Sequence, residues 1–157
     1  MKTENHAKFR TAPLAPEFIP FLEALEDATG LQFWGGDSYR RCFEDFSEYF
    51  GFCLVPEAGN KGLAGFSLAR AVLEEMELLK IGISPEFQRS GSGSLLLEKT
   101  FAEGKRRGCK RCFLEVRKSN WNAVQFYLAC GFRVTGDRRN YYSNPAEDAR
   151  IMERLLT

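Results

Sequence analysis

The sequence predicts a mixed α/β fold of one domain, and three observations carry that prediction. Helix-like and strand-like segments interleave along the chain instead of falling into separate blocks. At least one pair of strand-like runs is joined by a short polar turn, which adds antiparallel hairpins to the alternation. The chain has 157 residues, of which 44% are hydrophobic and 13% aromatic, enough apolar material for one complete core and too much for disorder.

The elements follow in order. A short opening segment ends at Pro13 and Pro16, and the next run, Phe18–Ala28, reads as a helix stopped by Gly30. Ser38–Tyr49 is expected to be a second helix, with Cys42, Phe43 and Phe46 at helical spacing. Strand-like Phe52–Val55, a turn over Glu57–Gly62 and strand-like Leu63–Val72 make the hairpin, and Met76–Ser84 is a further extended piece ending at Pro85. Ser92–Arg107 carries the clearest helical pattern: Leu96, Leu97 and Phe101 form an apolar stripe, and the cations at 105–107 suit a C-terminal dipole before Gly108. Arg111–Val116 reads as a strand, Asn120–Cys130 as a helix, and Phe132–Thr135 and Ala149–Leu155 as closing strands.

Composition removes several classes of function. A net charge of +1, from 22 basic and 21 acidic residues, argues against nucleic acid as the main partner. The basic run over 105–111 is explained by its place at a helix end. No apolar stretch approaches the length of a membrane span, and the first ten residues lack the apolar centre of a signal peptide. A cytoplasmic location is expected. The charge is nevertheless split: residues 1–80 hold 8 basic and 13 acidic groups, and residues 81–157 hold 14 and 8. Cys109 and Cys112 form the one C-x-x-C pair, but it follows a helix end instead of opening a helix, and no second pair completes a zinc site. His6 is the single histidine, which disfavours triad chemistry; any general base is sought among carboxylates.

Two stretches carry candidate chemistry. Gln88-Arg-Ser-Gly91-Ser-Gly93-Ser94 stands at a helix start, where backbone N–H groups and the helix dipole favour an anion. It lacks the third glycine of a dinucleotide fingerprint and the lysine of a Walker loop, so an ordinary Gly/Ser turn is the alternative. Downstream, Glu115 interrupts an apolar strand, with Phe113, Glu115 and Arg117 on one face and Leu114 and Val116 on the other. Such a carboxylate is either a general base or half of a salt bridge. Ala123, Tyr127 and Cys130 share one helix face, where a tyrosine is a core residue or a proton donor.

Taken in order, Gln88-x-x-Gly91-x-Gly93 and Asn120-x-x-Ala-x-x-Phe-Tyr127-x-x-x-Gly-Phe132 resemble the GNAT acetyltransferase superfamily. Leu114-Glu-Val-Arg-x-Ser-Asn120 followed by Arg139-Asn-Tyr-Tyr142 is similar, more narrowly, to the bacterial ribosomal-protein-alanine N-acetyltransferases. The resemblance runs over about residues 74–157. It implies a splayed mixed sheet flanked by helices, with acetyl-CoA lying in the splay. Carried over residue by residue, Ile81, Gly82 and Ile83 would hold the pantetheine through their backbone. Arg89, Ser90, Gly91, Ser92, Gly93 and Ser94 would hold the pyrophosphate, and Asn120 the cofactor arm. Glu115 would be the general base and Tyr127 the general acid. No metal is required.

The implied acceptor is the N-terminal α-amine of a protein, by the resemblance an alanine of small-subunit ribosomal protein eighteen, with the enzyme acting as a monomer. Trp34, Tyr141 and Tyr142 are the expected walls of the peptide groove, and Glu44, Asp45 and Glu48 the acidic groups that would meet a cationic peptide. The alternatives are acetylation of a small amine or a lysine side chain, or a regulatory module that binds CoA without turnover.

Overall fold

The computed structural model describes residues 9–58 and 62–157; His6 and the middle of the Glu57–Gly62 turn lie outside them. Seven strands form a single sheet in the order β1-β2-β3-β4-β5-β7-β6. They are β1 (Phe9–Pro13), β2 (Tyr49–Pro56), β3 (Gly65–Val72), β4 (Glu75–Ile83), β5 (Arg111–Arg117), β6 (Arg133–Ser143) and β7 (Ala146–Leu155). Four helices flank it: α1 (Ile19–Thr29), α2 (Gly36–Glu44), α3 (Ser92–Arg106) and α4 (Trp121–Ala129).

Local sequence explains most boundaries. Gly30 ends α1 at φ 68°, the left-handed conformation that costs glycine nothing. The side chain of Asn120 caps α4 by accepting the Ala123 N–H at 3.2 Å. One face of the sheet packs on α3 and α4 through Leu78, Leu97, Phe101, Leu114 and Met152. The other packs on α1 and α2 through Leu22, Leu25, Tyr39, Phe66 and Leu68.

One segment left without an assignment gains one, and two expectations are corrected. The segment Phe9–Pro13 is a strand, paired antiparallel with β2 from Phe9↔Pro56 to Pro13↔Phe52. A five-residue edge strand draws its order from a partner forty residues away, so its own pattern is silent. The second helix ends at Glu44 instead of running to Tyr49, which opens β2. Phe46, taken for part of its apolar face, is 57% exposed. The strand expected over Phe132–Thr135 continues to Ser143, because its hairpin pairing with β7 carries a polar, mostly exposed run.

Two irregularities shape the middle of the sheet. β4 and β5 are parallel and pair only at Glu75↔Arg111, Met76↔Cys112 and Glu77↔Phe113. Beyond Phe113 the strands part, and β5 stays bound to β7 along its whole length, from Arg111↔Leu155 to Arg117↔Ala149. Second, β3 and β4 pair at Leu68↔Lys80 and Ala69↔Leu78, which leaves Leu79 unmatched as a β-bulge. One extra residue reverses the alternation. Leu78 lies in the α3–α4 core, whereas Lys80 bonds to α1.

Candidate active site

The parting of β4 from β5 opens a cleft whose floor is the unpaired edge of β4. Its outer part, about 700 Å³, lies between Ile81, Ile83 and the start of α3. Arg89, Gly91, Gly93 and Ser94 line that end, and Tyr127 lines the α4 side. Its inner part, about 280 Å³, is bounded by Trp34, Gly82, Glu115, Asn120 and Tyr142. Ile81, Ile83, Ala123 and Tyr127 line both parts, so the two are continuous.

The outer end suits a phosphate-bearing ligand. Gly91 adopts φ 81°, and a Cβ there would meet nothing within 4 Å, so the backbone is open to approach. The first-turn N–H groups of α3, from Ser92 to Ser94, have no intrahelical acceptors. Arg89 supplies the one cationic side chain lining this part. Two serines of the loop use their hydroxyls within it. The Ser90 hydroxyl donates to the Phe87 carbonyl at 2.5 Å and lies 2.6 Å from the Ser92 hydroxyl. Ser92 is buried, so these side chains brace the loop and leave only their amides for a ligand. Asn120 lines the cleft, but its side-chain oxygen is engaged in capping α4.

At the inner end, the alternation expected for β5 holds: Leu114 and Val116 are buried, and Glu115 lies on the other face. The Glu115 carboxylate forms an ion pair with Arg138 at 3.0 Å, with the carboxylate side chain 9% exposed and the guanidinium side chain 56%. The Glu115 carboxylate also faces the Tyr141 hydroxyl and pushes its pKa up to about 12. Glu77, on the neighbouring strand, is held above the usual carboxylate range by burial and then by the charge of Glu115. Burial lifts the Tyr127 hydroxyl well above an ordinary phenol, with Cys112 and Cys130 adding to the effect. Its ring stands edge-on to Phe132 at 5.6 Å. Tyr127 therefore keeps its proton at neutral pH.

Of the expected groove walls, Trp34 and Tyr142 line the cleft, and Arg117 lies 4.2 Å over the Tyr142 ring. Tyr141 does not line it. It stands edge-on to Tyr142 at 5.0 Å, exposed, with Arg138 above it at 5.1 Å. The acidic groups are also redistributed. Glu48 is paired with Arg70 at 2.7 Å and Asp45 with the Ser47 hydroxyl. Neither they nor Glu44 line the cleft, where Glu115 does and Glu77 stands beside it.

Sequence reasoning missed Arg138, Glu77 and a buried group made of Glu26, Tyr39 and Lys80. The signal existed for the last: Lys80 interrupts an apolar strand much as Glu115 does, and Glu26 stands on the apolar stripe of α1. Cys109 and Cys112 are both buried; burial pushes the Cys109 thiol up and that of Cys112 up to about 12, which is the wrong direction for a reactive thiolate. Among the described residues, no group of three or more His, Cys, Asp or Glu side chains is placed to hold a metal ion, and no helix is long and apolar enough to cross a membrane.

The sequence model of the acetyltransferase (GNAT) family matches residues 19–132, from α1 through the cleft strands and the glycine-led helix to the end of α4. The chain belongs to the GNAT family. A relative from Escherichia coli K12 named as a [ribosomal protein bS18]-alanine N-acetyltransferase is 41% identical over 95 residues, or 59% of this chain. That match spans 64% of the relative's own length. A Bacillus subtilis relative, provisionally named for the same activity, is 30% identical over 137 residues, covering 87% of this chain and 88% of the relative. The crystal structure of the ribosomal-protein-S18-alanine N-acetyltransferase from Escherichia coli superposes with a TM-score of 0.82 at 30% identity, covering 96% of this chain and 95% of that one. Ard1 from Thermoplasma volcanium shares the fold at 20% identity, with a TM-score of 0.84 over 95% of this chain and 98% of its own. In this GNAT chain, as the resemblance implies, the sheet is mixed and splayed between β4 and β5.

Proposed function

We propose that this chain transfers the acetyl group of acetyl-CoA to the N-terminal α-amine of a protein, with alanine of a small-subunit ribosomal protein as the acceptor. The observation that carries the reading is the cleft itself. It joins a glycine-led helix start at one end to a carboxylate and a protonated phenol at the other. The names of the Escherichia coli and Bacillus subtilis relatives support the choice of acceptor.

The residues divide the work. The loop from Arg89 to Ser94 takes the pyrophosphate of acetyl-CoA through its backbone amides and the Arg89 cation. The unpaired edge of β4 at Ile81 to Ile83 takes the pantetheine. Glu115 accepts the proton that the acceptor's amine must lose before its nitrogen bonds to the acetyl carbon. As the carbon–sulfur bond breaks, Tyr127 protonates the departing thiolate. Arg138, the exposed half of its pair, is the cation that yields when a cationic chain end reaches Glu115. An α-amine has a pKa of about 7.7–8.0 against about 10.4 for lysine, so its deprotonation is easier by roughly 3.4 kcal/mol.

The test is intact-mass analysis of three peptides incubated with the protein and acetyl-CoA. One basic peptide starts with a free alanine, one carries a blocked start and an internal lysine, and one starts with alanine but has its basic residues made acidic. The first is expected to gain one acetyl group and the second none. Equal acetylation of the first two would overturn the N-terminal assignment. Equal rates on the first and third would remove the electrostatic argument alone.

A further inference from the structure

Behind the Trp34 wall lies an ion pair that the proposed chemistry does not use. The side chains of Glu26 on α1 and Lys80 on β4 are 1% and 4% exposed and bonded to each other. The Glu26 carboxylate also accepts the Tyr39 hydroxyl at 2.5 Å and the backbone N–H of Trp34 at 3.2 Å. The Lys80 ammonium donates to the Gln32 carbonyl and sits 4.8 Å from the centre of the Trp34 ring. Between α1 and α2, residues 31–35 have no regular secondary structure. Their backbone is gripped twice, at Gln32 by the cation and at Trp34 by the anion.

A buried ion pair is a weak source of stability, because desolvation offsets most of its attraction, and an apolar pair of like volume often serves as well or better. What such a pair supplies is geometry: directional bonds that one loop conformation satisfies and others leave unmet. Lys80 reaches this side only through the Leu79 bulge, since unbroken alternation from Leu78 would send residue 80 towards α3. Trp34 in turn lines the inner cleft beside Glu115.

We infer that Glu26 and Lys80 are positioning residues that lock the α1–α2 loop so that Trp34 forms a fixed wall of the acceptor site. The pair thereby sets affinity for the acceptor and not for acetyl-CoA. This rests on the proposed function for what occupies the inner cleft; the position of the loop does not.

The experiment replaces both charges at once, Glu26→Leu with Lys80→Met, so that no lone charge is buried. It is done in a Trp121→Phe background, because Trp121 is 66% exposed and is the only other tryptophan. Two readouts are taken on the folded protein: acrylamide quenching of Trp34 emission, and steady-state acetylation of the alanine peptide. Quenching is expected to rise, with Tm lowered by the cost of the Tyr39 hydroxyl left buried without its acceptor. The KM for peptide is expected to rise about tenfold, the affinity equivalent of one lost hydrogen bond, with the KM for acetyl-CoA unchanged. Unchanged quenching would overturn the proposal. So would increased quenching with an unchanged peptide KM, or equal rises in both KM values. Should the double variant not fold, Tyr39→Phe, which removes one donor to Glu26, is judged by the same criteria. A wild-type chain that acetylates no acceptor would defeat the proposed activity, while the quenching readout would still decide the loop assignment.

Discussion

The two ends of the β4–β5 seam are built from the same strands and behave in opposite ways. At the paired end, from Glu75 to Glu77, packing is tight: Met76 and Cys112 are fully buried, and a Cβ on Gly104 of α3 would come within 2.3 Å of the Met76 sulfur. At the open end, the hydrogen-bonding edge of β4 faces a cleft, and a Cβ on Gly91 would meet nothing. The difference teaches where each demand is met. The closed end fixes the angle at which the strands diverge, and the open end inherits a cleft in which backbone groups remain available to a ligand.

If that division holds, substitutions at the two ends should fail in different assays. The largest effect is expected at the open end. Glu115→Gln should lower turnover about 10²–10⁴-fold, the usual worth of a general base, with Tm unchanged. Turnover near that of the wild type, measured on the alanine peptide, would remove Glu115 from the chemistry. Next comes the closed end, where Met76→Ala should cost about 2–5 kcal/mol of stability through the cavity it leaves beneath Gly104. Urea unfolding measures that loss, and CoA affinity of the remaining folded protein should be close to normal.

Smaller again is Gly91→Val. The added side chain finds open space, so the fold should survive, but the φ of 81° is strained for a β-branched residue and the approach to the backbone is blocked. CoA binding by calorimetry should weaken about tenfold, or about 1.4 kcal/mol. Unchanged affinity in a folded variant would move the pyrophosphate elsewhere. The smallest effect is expected for Arg111→Gln, at the closed end but on its surface, where the arginine pairs with Glu75 while about half exposed. Such pairs contribute about 0–1 kcal/mol, so Tm should scarcely change. A large loss there would mean that the seam is held by its rim and not by Met76.

The open end was more legible in the sequence than the closed one. Glycines before an apolar helical stripe, and one carboxylate in an alternating strand, are local patterns that mark α3 and Glu115 in the sequence alone, whereas Tyr127 stands out only through the family resemblance. What stayed hidden depends on partners distant in the chain. β1 gains its order from β2, the polar run of β6 from β7, and the pairing of Glu115 with Arg138 from the folding of that hairpin beside β5. The resemblance puts Ser92 in the pyrophosphate loop, and only the fold shows its hydroxyl turned inward to Ser90, with its backbone N–H left for a ligand. Lys80 and Glu26 each interrupt an apolar pattern, yet the bulge that brings them together cannot be found by counting in twos.

That bulge makes β4 a strand whose parity matters. Ahead of Leu79 one set of side chains faces α3, and after it the other set does. Ile81 and Ile83 thus join the α3-side packing around Leu96, while Lys80 and Gly82 turn to α1. A single residue inserted directly after Leu79 would exchange these roles, driving an ammonium into the apolar core and an isoleucine into the charge network. Two residues added together would restore the faces but displace the glycine-led loop along the cleft by about 6.6 Å. β4 is therefore a counted spacer, and a relative that differs in length at this point should be expected to have rebuilt both its core and its acceptor wall.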